Sequence, residues 1–186
     1  MRWQRAGARR CARARVPTRL VEGHKDTPVK ELWQVQEFIR RIRTRMRFGE
    51  FSRAPLRLLR MQLRGDTAEC DCIARPPDRW DAELPSRVGQ RNASAQALKD
   101  AIAIRGLLFR VFPDLHSAVI RIHRSASSDR LELIVEGSVT RDQKAPATVR
   151  SLTMRAKLLG FRFWLDEGVL EDMQPDELVV SSSSIS

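Results

Sequence analysis

The stretch Ser117–Val139, SAVIRIHRSASSDRLELIVEGSV, alternates apolar and polar residues on both sides of a serine-rich break. Successive side chains of a strand point to opposite faces, so this alternation predicts a half-buried β-hairpin. Ala118, Ile120 and Ile122 face one way, and Val119, Arg121 and His123 the other. In the second arm Leu131, Leu133, Val135 and Val139 are assigned to the core, and Glu132, Ile134, Glu136 and Ser138 to the outer face. Residues Leu59–Ala74 alternate likewise around Gly65-Asp66, a dipeptide suited to a tight turn. Leu56, Leu59 and Leu63 also fit helical spacing, which gives the first arm a second reading as a helix capped at Ser52. The clean alternation of the second arm favours the hairpin.

Three other stretches have helical spacing. In residues 31–46, Leu32, Val35, Phe38/Ile39, Ile42 and Met46 form one stripe, with Arg40, Arg41, Arg43 and Arg45 near the carboxyl end, where cations suit the helix dipole. Gly49 is the expected stop. Such a basic amphipathic helix lies on a membrane, on a polyanion or on its own domain, and the last is the commonest case. A second helix runs from a cap at Asn92 or Ser94 to Pro113, with Leu98, Ala101/Ile102, Arg105, Leu108 and Val111/Phe112 along one line. A third turns Val149, Leu152, Ala156 and Leu159 inward and stops at Gly160. Residues 161–168, FRFWLDEG, read as a strand with Phe161, Phe163 and Leu165 on one face.

The expected fold is therefore α+β. It is a two-layer sandwich of two ββα units plus a final strand, preceded by the amphipathic helix. The chain divides into a disordered basic arm (1–30), the helix (31–46), a single α+β domain (47–178) and a disordered tail (179–186).

Charge is concentrated in the arm. Residues 1–45 carry 13 basic and 4 acidic residues, and residues 46–186 carry 21 and 19. The net charge of +11 thus describes an ordinary domain with a basic extension rather than a basic domain. Arginine outnumbers lysine 29 to 5, a bias that a GC-rich genome also produces. Arg/Ala-rich text of this kind resembles an over-extended gene start, and Met46 would open a shorter chain. No apolar run approaches the roughly 20 residues of a membrane span. The arm lacks the apolar stretch of a secretory signal, and three cysteines do not make a disulfide framework, so a cytoplasmic location is expected.

Cys70 and Cys72 raise the question of metal or redox chemistry. Residues i and i+2 of a strand point the same way, roughly 6.7 Å apart, whereas a disulfide needs Cβ atoms about 3.8 Å apart. Their companions on that face are Ala68 and Ala74, so the pair reads as small core residues. Zinc would need two further ligands, and His116 and His123 are not spaced as a ligand pair. The sequence holds no nucleophile elbow, P-loop, zincin or dinucleotide fingerprint and no tyrosine. No cofactor, metal or catalytic residue is assigned.

Val119, Ile134 and Trp164 fall on a face that alternation gives to solvent, beside Arg121, His123 and Arg162. Apolar groups there imply a cover: a protein partner, a second copy of the chain, or the helix at 31–46. The expected function is a non-catalytic binding or scaffold domain acting through this sheet face. Arg9, Arg10, Arg13, Arg15 and Arg19 of the arm would meet polyanions, including nucleic acid, weakly and without sequence preference. The alternative is a small enzyme with a dispersed site near the loop 75–92.

Overall fold

The structure, a computed structural model, describes residues 27–126 and 130–173. The arm arginines Arg9, Arg10, Arg13, Arg15 and Arg19, the expected disorder of the arm and tail, and the tip of the second hairpin lie outside them.

The element order is α1 (Thr27–Arg45), β1 (Arg57–Arg64), β2 (Thr67–Ile73), a 3-10 helix (Arg79–Glu83), α2 (Ser86–Val111), β3 (Ser117–Ser125), β4 (Leu131–Thr140), α3 (Leu152–Leu158), β5 (Phe161–Arg162), β6 (Trp164–Asp166) and β7 (Val169–Glu171). The fold is α+β. Strands β1 to β5 form one mixed sheet in sequence order, and β6–β7 form a separate two-stranded sheet. Both hairpins form, which settles Leu58–Leu63 as strand. They are joined by parallel pairing of β2 with β3, from Thr67–Ser117 to Ile73–His123. Parallel neighbours need a crossover, and the 26-residue α2 supplies it.

The helices share one layer. Helix α1 packs on α2 and β1, and α3 on α2 and β5. Phe38 and Ile42 of α1, Ala68, Cys70 and Cys72 of β2, Ile104 and Leu108 of α2, Ile120 and Ile122 of β3, and Val135 and Val139 of β4 are buried in one core. Phe38 meets Phe112 with ring centroids 5.8 Å apart. A chain beginning at Met46 would lack the α1 share of this core. The amphipathic helix therefore covers the helical side of the sheet and not its outer face.

Local departures from the expected pattern have physical causes. Helix α2 begins at Ser86, six residues before Asn92 and directly after Pro85, and Gly89 in its first turn lies against the Asp81 side chain. Its buried line runs through Leu98, Ala101, Ile104, Leu108 and Val111, with Arg105 half-buried beside it. Arg141 caps the far end. It donates to the carbonyls of Phe109, Phe112 and Leu115 at 2.9, 2.7 and 2.9 Å, groups left without helical partners. Helix α3 has only seven residues, and the final strand breaks at Phe163, whose buried ring anchors the chain while β6 leaves the large sheet for β7. Gly137 makes room for β5: a Cβ there would lie 2.4 Å from the Phe161 ring.

A candidate ligand pocket at the carboxyl end of the parallel strands

The outer sheet face differs from its expected character. A bulge interrupts the β3–β4 register between Ile122 and His123, so His123 pairs with Leu133 and Ile134 is the extra residue. An extra residue reverses the side-chain phase beyond it. Ile134 is therefore buried at the edge of the core, while Leu133 takes the position opposite His123. Trp164 lies in the small sheet, 68% exposed and opposite Glu171. Of the six residues expected together, Val119, Arg121, His123 and Arg162 share the outer face; Ile134 and Trp164 do not join them.

What occupies that face is an ion-pair ladder. Arg121 Nε donates to Glu136 at 3.1 Å, and its Nη1 lies 3.5 Å from Asp71 and 3.7 Å from Glu69. Arg162 reaches Glu136 at 2.7 Å, and Arg60 reaches Glu69 at 3.3 Å. Burial works against the Glu136 carboxylate, but hydrogen bonds from Arg162 and Arg121 outweigh it and hold its carboxyl below the usual range. His123 lies in register between Ile73 and Leu133, and burial lowers the pKa of its imidazole. The charges on this face neutralise one another across strands.

Cys70 and Cys72 are fully buried, with Sγ atoms 3.9 Å apart. The neighbouring Cys72 thiol and burial push the Cys70 thiol up, away from the reactive thiolate. Among the described residues, no group of three His, Cys, Asp or Glu side chains is placed to hold a metal ion, and no helix is long and apolar enough to cross a membrane.

A cavity lies where β2 and β3 end. It encloses about 440 Å³ between Ile73 and Ala74, Arg124 and Ser125, the start of β4 at Ile134, and Gln90, Ala93 and Ser94 of α2. Ala54, Pro55, Pro76 and Pro77 form its outer wall. The volume is within the range of small-molecule sites. Its position outside the carboxyl ends of parallel strands is where open α/β sheets place their ligands.

The wall is held by a buried polar cluster. Arg75, immediately after β2, donates to Asp100 at 2.7 and 3.2 Å, to the carbonyls of Met46 and Arg47 at 2.7 and 3.3 Å, and to that of Ala54 at 2.5 Å. These five bonds use all five guanidinium N–H groups. Gln96 extends the cluster: its amide donates to Asp100 at 3.0 Å, and its carbonyl accepts from the Phe51 N–H at 2.9 Å. Burial pushes the Asp100 carboxyl up against the pull of Arg75. The backbone of the 46–54 loop comes so close to α2 that a Cβ on Gly49 would lie 2.4 Å from Gln96 Cδ. Gly49 serves this approach instead of stopping α1, which ends at Arg45.

With Arg75 committed to the wall, Arg57 and the spare N–H groups of Arg124, whose charge is paired with Glu132, remain for a ligand. Arg124 donates to Glu132 at 2.9 and 2.7 Å and to the Leu170 carbonyl at 2.9 Å, which leaves two of its five N–H groups. Arg57 opens β1 at the rim and forms no ion pair among the described residues. None of the lining residues is acidic. The cavity therefore suits an apolar body carrying an anionic group.

The pocket was not legible beforehand as a site. Its walls come from five separated segments, and of its lining residues only Arg75, Pro76, Pro77 and Gln90 lie in the region 75–92 suspected from sequence. The fold and cavity define a class, an α+β domain with a ligand-sized pocket at a parallel strand end. Comparison with protein families, curated proteins and solved structures returned no match.

Proposed function

We propose that the protein is a non-catalytic binding domain whose ligand is a small organic anion with an apolar body, held in the pocket at the ends of β2 and β3. The supporting observation is an apolar cavity of about 440 Å³ with arginines and no carboxylate in its lining. Ile73, Ala74, Ala93 and Ile134 would bury the apolar body, and Arg57 and Arg124 would meet the charge. The sheet face, first expected to recruit a protein partner, is less suited to that role because its charges are already paired.

The fluorescent anion anilinonaphthalene sulfonate is a suitable probe. It should bind one-to-one and be displaced by decanoate more readily than by decanol. Ala93→Trp, which fills the cavity from α2, should abolish binding while circular dichroism stays unchanged. Arg57→Ala should weaken decanoate but not decanol. At about a hundredfold excess over Kd, decanoate should add about 2.7 kcal/mol of stability. A folded Ala93→Trp protein that binds the probe as well as the parent does would refute the reading.

A further inference from the structure

Phe48, shortly after α1, and Trp80, in the 3-10 helix, are exposed aromatic rings, each with a guanidinium over its face. Arg47 lies 5.1 Å from the Phe48 ring centroid, and Arg53 lies 5.9 Å from that of Trp80. Phe48 is 62% and Trp80 72% exposed, so neither ring serves the core. The Gly49 N–H donates to the Ser52 carbonyl at 2.8 Å and closes a turn between the two stacks. Six residues of chain span at most about 20 Å, which bounds the separation of Arg47 and Arg53.

The surroundings favour an anionic polymer. Arg43, Arg45 and Arg79 are exposed and form no ion pair among the described residues. Of the acids nearby, Glu50 is paired with a cation, Lys99, while Asp78 and Asp81 accept hydrogen bonds from neutral groups, the backbone N–H groups of Arg53 and Trp80 and the side chain of Asn92. Asp81 Oδ2 has no hydrogen-bond partner among the described residues. Glu83 is left on the wall of an open groove of about 700 Å³ that also includes Arg53, Pro76, Pro77 and Trp80.

We propose that this surface binds single-stranded nucleic acid, with bases stacking on Phe48 and Trp80 and phosphates meeting Arg43, Arg45, Arg53 and Arg79. Exposed rings interleaved with arginine are the elements of a sequence-tolerant single-strand platform. A duplex keeps its bases stacked on one another and offers these rings nothing but phosphate. A bilayer would need a continuous apolar helix face, and the stripe of α1 through Phe38 and Ile42 is already buried in the core. Residues 1–26, with 8 basic and 2 acidic residues, add charge that does not distinguish one strand from two. The preference for single strands, rather than affinity alone, is therefore the signature of the platform.

The test uses the full chain. Fluorescence anisotropy is read with labelled oligo(dT) and oligo(U) of about 12 nucleotides, a duplex of about the same length, and phosphatidylserine-containing vesicles, across about 50–200 mM salt. Both single strands should bind at least about tenfold more tightly than the duplex, and each ring removed should weaken single-strand binding roughly 5- to 150-fold. Phe48→Ala with Trp80→Ala should bring single-strand affinity down to the duplex level and leave duplex affinity unchanged. Arg43→Gln, Arg45→Gln and Arg53→Gln together should lower the single-strand salt slope by about 2. Both sets alter exposed side chains, and circular dichroism checks their folding. Equal wild-type affinities for single strand and duplex, undiminished single-strand binding by the ring variant, binding to vesicles alone, or no binding at all would each overturn the proposal.

Discussion

Asp100→Ala tests whether the pocket wall depends on the buried Arg75 cluster. In the native protein the Arg75 and Asp100 side chains are 1% and 5% exposed. The substitution removes both Asp100 bonds and leaves a buried guanidinium with three carbonyl partners and no countercharge. Breaking a buried ion pair by removing one partner typically costs about 3–5 kcal/mol. The Gln96 amide also loses its acceptor, which adds about 1 kcal/mol. With an m-value of about 2 kcal/mol/M, the urea midpoint should fall by about 2 M. The measurement is equilibrium urea unfolding followed by circular dichroism. The double variant Arg75→Met with Asp100→Leu removes both charges and should lose less stability than the two single losses added together. A loss below about 1 kcal/mol for Asp100→Ala, or additive losses in the cycle, would refute the claim that this pair holds the wall as an ionic unit.

Gly49→Ala should cost about 1–3 kcal/mol, because its Cβ displaces Gln96 from two hydrogen bonds, and chemical unfolding of Gly49→Ala in a Gln96→Ala background should show a much smaller loss. Cys70→Ser places a hydroxyl in the core and should cost about 1–3 kcal/mol. In the parent, Cys70 and Cys72 should react with a thiol reagent only as the protein unfolds, which stopped-flow labelling against urea would show. The folded-state pKa of His123 lies below its unfolded value, so the unfolded chain takes up a proton more readily. That contribution to stability is present above about pH 6.5 and is lost as pH falls through the lower folded value. Urea midpoints measured between about pH 7.5 and 5.5 should decline less in His123→Gln than in the parent.

Much of the fold could be read because the signals are local. Alternation around Gly65-Asp66 and across residues 117–139 identified both hairpins, and spacing identified the three helices, since burial on one face imposes its period on the chain. The bulge could not be read. One extra residue reverses every assignment beyond it, and Ile134 carries no mark that it is the extra one. Trp164 was misplaced for a related reason: alternation continues through Phe163, but the hydrogen bonds change partner there. The Arg53–Trp80 stack was invisible because its ring and guanidinium come from separate segments whose approach depends on the whole fold, and the local Arg47–Phe48 pair carries no mark that its ring stays exposed.

The sequence by itself determined that this chain folds as α+β, that its hairpins carry charged outer positions, and that Cys70 and Cys72 lie on one strand face. Tertiary structure alone decided that β2 and β3 run parallel with α2 crossing between them, since strand direction and partner leave no trace in the period of a single strand. That pairing brings Ile73, Ala93, Arg124 and Ile134 around one cavity, and Arg75 fixes its wall by reaching Asp100, 25 residues further along the chain. Local periodicity reports which side of an element is buried; which elements meet, and what space they leave between them, is set by long-range packing and by the buried polar groups that must find partners there.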